Sequence, residues 1–439
     1  MGEFLPALLR NLMLGCGCLA VGQFAAAQIP AGSTSRSMTN SPAVTSQSPT
    51  PDTAELLQKA SLDISFSTGH LTQAGGEFLL GELAHAQFVL MGESHYDHDT
   101  PLFASALYHD LHTKLGFHHL VVEQDPVGMQ DALKPGARGS LAALAAIARR
   151  DPYLIGFASD QDLQFLADVA GLEKGPDPIW GLEQAQGTTR YLEELRGLAP
   201  SLQLRSECEA LSAAAQKIEG SRGPHGNYLS DAGDALDRTQ ALRDDFGAAA
   251  GSRAQQLLDG LVKSAQIYSY YRRAEKGEFV GLYNNTVREA WFKQQFIADY
   301  RRAVALGDAL PKALFKFGGE HMYHGLNPIP AFPIGNFAHE FAIANGQEAY
   351  GIIVLPLGTY STWSELPAWL LPLLPPAAPA HAILIDLRSL RPYQRLFRAK
   401  VAEPDQWQLR TFINGYDAMV VLPDTRKADM TLTGFPNPF

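Results

Sequence analysis

The sequence predicts an α/β protein with a mostly parallel central sheet, flanked by helices and carrying a largely helical insertion or layer. Three observations lead there. Apolar runs such as Phe88–Met91 and Leu120–Val122 are continuous rather than alternating, as in strands buried on both faces. Each run ends abruptly in ionisable residues, the first in Gly92-Glu93-Ser94-His95 and the second in Glu123. Between the two runs, Phe103, Leu107, Leu111 and Leu115 recur every four residues until Gly116, which is a helical period with a stop.

Residues 1–27 are expected to be a secretory signal peptide, with Arg10 ahead of the apolar Leu12–Gly22 and Ala25-Ala26-Ala27 as a cleavage site. That apolar segment is shorter than the ~20 residues a membrane-spanning helix needs, so the mature protein is expected to be exported, periplasmic or extracellular, without a transmembrane segment. A minor alternative makes Cys16 a lipidated first residue. Cleavage after Ala27 removes Cys16 and Cys18 and leaves only Cys208, so an intramolecular disulfide framework is ruled out and Cys208 reads as a buried or idle thiol.

Residues 28–52, rich in Ser, Thr, Pro and Ala, are expected to form a flexible linker. A folded α/β domain is then expected over 53–430. Within it, Ala54–Ala60 reads as a helix and Leu62–Phe66 as a half-buried alternating strand. In the central unit Thr100 reads as an N-cap and Pro101 as the first helical residue.

Leu141–Arg149 is an Ala-rich helix, and Pro178–Leu182 is a third strand ending at Glu183. Residues 190–305 carry long helical patterns, including Leu257, Leu258, Leu261, Val262 and Ala265, interrupted by the loop signal at 223–226. The sheet pattern resumes at Ala313–Phe317, which runs into Gly318-Gly319-Glu320-His321. Further strands are expected at Gly351–Leu355, Ala382–Leu387 and Ala418–Leu422, with a proline-rich loop over Leu371–Pro379.

Composition narrows the function. With 18% charged and 46% hydrophobic residues over 439 positions, the chain can bury a large core. A net charge of −11 and the lack of a basic run argue against nucleic acid as a partner and leave a small-molecule substrate as the expectation.

Four strand exits bring Glu93, His95, Glu123, Glu183, Glu320 and His321 to the carboxyl end of a parallel sheet, where ligands bind in such folds. A His beside carboxylates suits general-base activation of water. Arg288 is a candidate electrophilic partner, since Asn284, Arg288 and Gln295 share one line of a helix; its plainer reading is a salt bridge to Glu289 or Glu183. Ser94 reads as a turn residue because the nucleophile elbow Gly-x-Ser-x-Gly is absent. The run His95, His98, His109, His112, His118, His119 lacks a zinc motif, and His109 and His112 read as surface residues of the helix. A divalent metal on His95, His321 and a carboxylate stays open.

The ordered motifs resemble the erythromycin esterase family, within a superfamily that includes ChaN-like haem-uptake and Tiki-like proteins. They are Glu93 and His95 after a strand, Glu123 ending the next strand, Arg288-Glu289 with Phe292 and Gln295 on a helix, His321 after a late strand, and the closing strand Tyr416–Leu422. One residue separates Glu93 from His95, a spacing closer to the ChaN-like branch than to the esterases, as is Gly318-Gly319-Glu320-His321.

The resemblance implies hydrolysis of an ester or lactone by water without a covalent enzyme intermediate. In that scheme His95 is the base, Glu123 or Glu93 orients it, and His321 with Arg288 stabilises the oxyanion. Two alternatives come with it: a haem-binding protein using Tyr96, Tyr323, His321 or His324 as ligands, and a metal-dependent peptidase with His95, Glu123 and His321 as ligands.

Overall fold

The computed structural model describes residues 51–435 apart from 152–153, 223–226, 282 and 359–365. The signal peptide, most of the linker and the 223–226 loop signal lie outside the described residues. An eight-stranded sheet organises the rest: β1 (Ser61–Asp63), β2 (Ala86–Glu93), β3 (His119–Val122), β4 (Ile179–Gly181), β5 (Ala313–Gly318), β6 (Glu348–Pro356), β7 (Ile383–Asp386) and β8 (Ala418–Leu422). Their spatial order is β1-β7-β8-β6-β2-β5-β3-β4. Only the pairings made by β7 are antiparallel, so the sheet is mostly parallel, as its apolar runs predict.

All eight residues of β2 are buried, because helices cover both faces. Alternate side chains feed two cores. Val89, Met91, Leu120, Val122 and Leu314 join the first, with helices 73–83, 99–115 and 160–172. Phe88, Leu90, Val121, Phe315 and Phe317 join the second, with helices 283–305 and 334–344. A buried Phe or Leu of this kind contributes roughly 1.5–3 kcal/mol. The alternation dictates which face each charged residue at a strand exit will join.

Helices 188–198, 202–222, 228–231, 235–246 and 253–275 follow β4, with Leu257, Leu258, Leu261 and Ala265 buried in the first core. Helix 283–305 differs from them: it lies on the sheet's second face, with Phe292 and Phe296 fully buried. The helical stretch expected over 190–305 is therefore divided between two layers. Cys208 is buried, and burial lifts its thiol to about 11.

Two local expectations are corrected. Thr100 is not the N-cap: the helix spans Asp99–Leu115, and Asp97 Oδ1 accepts from the Asp99 and Thr100 amides and from the Thr100 hydroxyl at 2.8–3.0 Å. A carboxylate two residues upstream takes the capping role and leaves Pro101 inside the first turn, where its missing N–H costs nothing. The strand expected over 62–66 is shorter, pairing with β7 only through Ser61–Asp63 before a single bridge from Ser65 to Thr72. Gly116 ends the helix at φ +73, as expected of a left-handed C-cap. No helix among the described residues is long and apolar enough to cross a membrane.

Candidate active site

The four carboxylate-bearing exits belong to four consecutive strands of the sheet, β2-β5-β3-β4. In-register pairing sets Glu93 beside Gly318 and Val122 beside both Lys316 and Gly181. The parallel arrangement thus converts residues far apart in sequence into one row. Its side chains are nearly sealed: His95, the most exposed of the group, is 9% exposed.

Glu123 is the hub. Its Oε2 accepts from the Gly318 amide at 2.7 Å and lies 3.4 Å from His95 Nε2. Its Oε1 receives Arg288 Nη2 at 2.7 Å and lies 3.4 Å from His321 Nε2. Burial alone would raise this carboxyl, but His321 and His95 outweigh it and hold Glu123 well below the usual range.

His95 is gripped from both sides. Nδ1 lies 3.1 Å from Glu93 Oε1, and the ring stacks on Phe157 at 3.8 Å between centroids. Burial works against the cation, yet Glu123 and Glu93 prevail and push the imidazole up to about 9. The loop that presents it is fixed too. Tyr96 adopts φ +61, its hydroxyl donates to the Gly156 carbonyl at 2.8 Å, and its carbonyl accepts from the Ala428 amide at 2.9 Å. Ser94 is buried immediately before this turn.

Arg288, on helix 283–305, reaches across from the second face. It donates to Glu183 through Nε at 3.0 Å and through Nη2, and Nη1 is 3.1 Å from His321 Nε2. It forms salt bridges to Glu183 and Glu123. His321 Nδ1 meets Glu289 Oε1 at 2.5 Å, while Glu289 Oε2 accepts from the Ile334 amide. The shared helix line holds only in part: Asn284 donates to Asn285, and Gln295 lines a separate groove with Asp299 and Arg302.

Lys316, Asp162 and Phe157 belong to no motif read from the sequence, and Glu289, read there as the neighbour of Arg288, takes a part beyond a salt bridge to it. Lys316 lies within an apolar strand, where a lone lysine is itself a signal, because a buried ammonium requires partners. Its Nζ is 2.7 Å from Glu93 Oε1 and 2.8 Å from Asp162 Oδ1. Gly318 had a signal as well: a Cβ there would lie 3.0 Å from His95 Nε2 and 3.3 Å from Glu123 Oε2. The backbone must pass that close for its amide to reach Glu123. Glu320 is buried outside this network, its Oε2 without a hydrogen bond among the described residues, and burial pushes it up to about 7 against the pull of His321.

Neither cofactor alternative fits these residues. Between Glu123 and His321, where a divalent metal held with His95 would sit, the Arg288 guanidinium already supplies the positive charge. The haem candidates are engaged in different surroundings. Tyr96 bonds Gly156, Tyr323 is buried against Tyr416, and the exposed His324 stacks on His339 at 4.2 Å. His109 and His112 are also corrected: both are half-buried, and His112 Nδ1 lies 2.8 Å from Glu173 Oε1.

No family model and no curated protein matches the sequence. Solved structures do match. A protein from Bacillus cereus aligns over 87% of this chain and 99% of its own, with a TM-score of 0.52 at 11% identity. A mutant of the erythromycin esterase EreC in its open conformation covers 86% of this chain and 98% of its own, with a TM-score of 0.51 at 14% identity. A succinoglycan biosynthesis protein gives a TM-score of 0.52 at 12% identity over 86% of this chain and 98% of its own. The match spans the sheet and its helical layers together, and the chain has the erythromycin esterase-like fold.

Proposed function

We propose that the protein is an exported hydrolase that cleaves an ester or lactone with water activated by His95. The observation that carries this reading is the placement of His95 and His321 on opposite oxygens of Glu123, with Arg288 bound to the same carboxylate. One imidazole can serve the nucleophile while the other, with the guanidinium, faces the charge that develops on the carbonyl oxygen. The esterase EreC, a neighbour by fold, supports the reaction class. Export rests on the signal-like segment at 1–27.

In this mechanism neutral His95 takes a proton from water as the water oxygen bonds to the acyl carbon. The tetrahedral oxyanion is stabilised by His321 and by the positive charge of Arg288. Collapse breaks the acyl–oxygen bond, and the His95 imidazolium returns its proton to the departing alkoxide. The products are a carboxylic acid and an alcohol, and no bond forms between enzyme and substrate. Glu93 orients Nδ1 and stabilises the imidazolium; Glu289 orients His321 in the same way.

The sealed site requires the covering residues, Phe157 stacked on His95 among them, to part for substrate. A panel of lactones and simple esters tests the reading. Turnover by the wild type that persists after chelation supports it, and no hydrolysis of any member counts against it.

A further inference from the structure

We propose that His112, His118 and Glu173 form a binding site for a divalent transition-metal ion of the zinc class, at the end of the sheet opposite the strand exits. His112 lies in the last turn of helix 99–115, His118 follows the Gly116 cap, and Glu173 caps helix 160–172. The next residue, His119, opens β3 at the end remote from Glu123, roughly 13 Å away at the usual rise per strand residue.

Three chain segments converge there. His112 Nδ1 is 2.8 Å from Glu173 Oε1 and His118 Nδ1 is 3.3 Å from Oε2. One ligand atom from each residue lies within 4.8 Å of the other two. Tetrahedral zinc with bonds of about 2.0–2.2 Å holds its ligand atoms roughly 3.3–3.5 Å apart, so small side-chain rotations bring these three onto one ion. Two imidazoles and a carboxylate suit zinc or a neighbouring transition metal better than calcium or magnesium, which take oxygen ligands.

The surroundings fit a metal as well. Tyr108 Oη donates to Glu173 Oε1 at 2.6 Å, the outer hydrogen bond that orients a ligating carboxylate. All three residues line a cavity of about 470 Å³, which leaves room for a water or an exogenous ligand in the remaining coordination position. Among the described residues, the Glu173 carboxylate pairs with histidines and with no lysine or arginine. The neighbouring group of His70, His109 and Asp110 lacks this property, because Lys114 Nζ lies 2.8 Å from Asp110 Oδ1 and already neutralises it.

Calorimetric titration of the chelator-treated, tag-free protein with zinc chloride tests the proposal. The wild type should bind an equivalent that His118→Ala loses and Glu173→Gln weakens at least tenfold, with His70→Ala unaffected. His118 is half exposed, so its truncation leaves the fold intact, which circular dichroism verifies. No zinc binding by the wild type, binding undiminished in His118→Ala, or binding lost in His70→Ala would overturn it.

Discussion

Lys316 Nζ and His95 Nδ1 share a single oxygen, Oε1 of Glu93, at 2.7 and 3.1 Å. The charge state of the proposed base is thereby tied to an ammonium on the neighbouring strand. Burial raises Glu93, but Lys316 first and His95 next outweigh it and hold the carboxylate ionised. Asp162 shares Lys316, and its own burial, with Glu93 nearby, raises it despite the lysine.

Lys316→Met takes the ammonium from Asp162 and leaves Glu93 to His95. Removing one partner from a buried ion pair costs about 3–5 kcal/mol, so the variant should unfold at markedly lower urea concentration. Lys316→Met/Asp162→Asn should recover part of that loss, because it removes the stranded charge. Equal destabilisation of the single and double variants would show that the pair is not coupled.

The raised imidazole of His95 has opposite consequences for stability and for turnover. Its folded-state value of about 9 lies above the ordinary 6.5, so the stability it contributes is fully present below pH 6.5 and is lost as pH rises through about 9. As a base it works only when neutral, so kcat/KM should climb through the same interval, reach half its maximum near pH 9 and level off above it. Denaturant melts and pH–rate profiles, run side by side, check both slopes; a rate that falls across this range would make His95 an acid instead.

Arg288→Lys keeps the positive charge but cannot reproduce the forked contacts to Glu183, Glu123 and His321. Turnover should fall on the order of 100-fold or more, the usual effect of losing one oxyanion-stabilising group. The loss should appear mainly in kcat. A rise in KM alone would assign Arg288 to substrate binding.

Gly318→Ala places a methyl against His95 Nε2 and Glu123 Oε2. Overpacking of this kind typically costs about 1–3 kcal/mol, but the larger effect should be on turnover, since the methyl occupies the nitrogen that must face water. Full activity in Gly318→Ala would mean that the attacking water approaches from elsewhere.

Much of the sheet was legible because parallel strands buried on both faces leave a continuous apolar signature. Ala418–Leu422 was bounded to the residue, and Phe88–Met91 fell inside β2. The carboxylates stand out for the same reason, ending runs that are otherwise apolar except for Lys316 in β5. Partners on the flanking helices were less visible. Glu289 could be placed in a helix, but which side chain it meets depends on how helix 283–305 crosses the sheet. Asp162 sits in a stretch with no distinguishing pattern, and the apolar residues on either side of Lys316 mask it in the sequence. The Asp97 cap is obscured in the sequence because Thr100-Pro101, three residues later, carries the commoner capping signal.

The most direct test of the central claim is steady-state hydrolysis of whichever ester or lactone the wild type turns over, measured with purified His95→Ala and His321→Ala in parallel. Both variants should stay folded, with kcat/KM reduced on the order of 10²-fold or more and the larger loss in His95→Ala. Wild-type rates in folded His95→Ala would contradict the account.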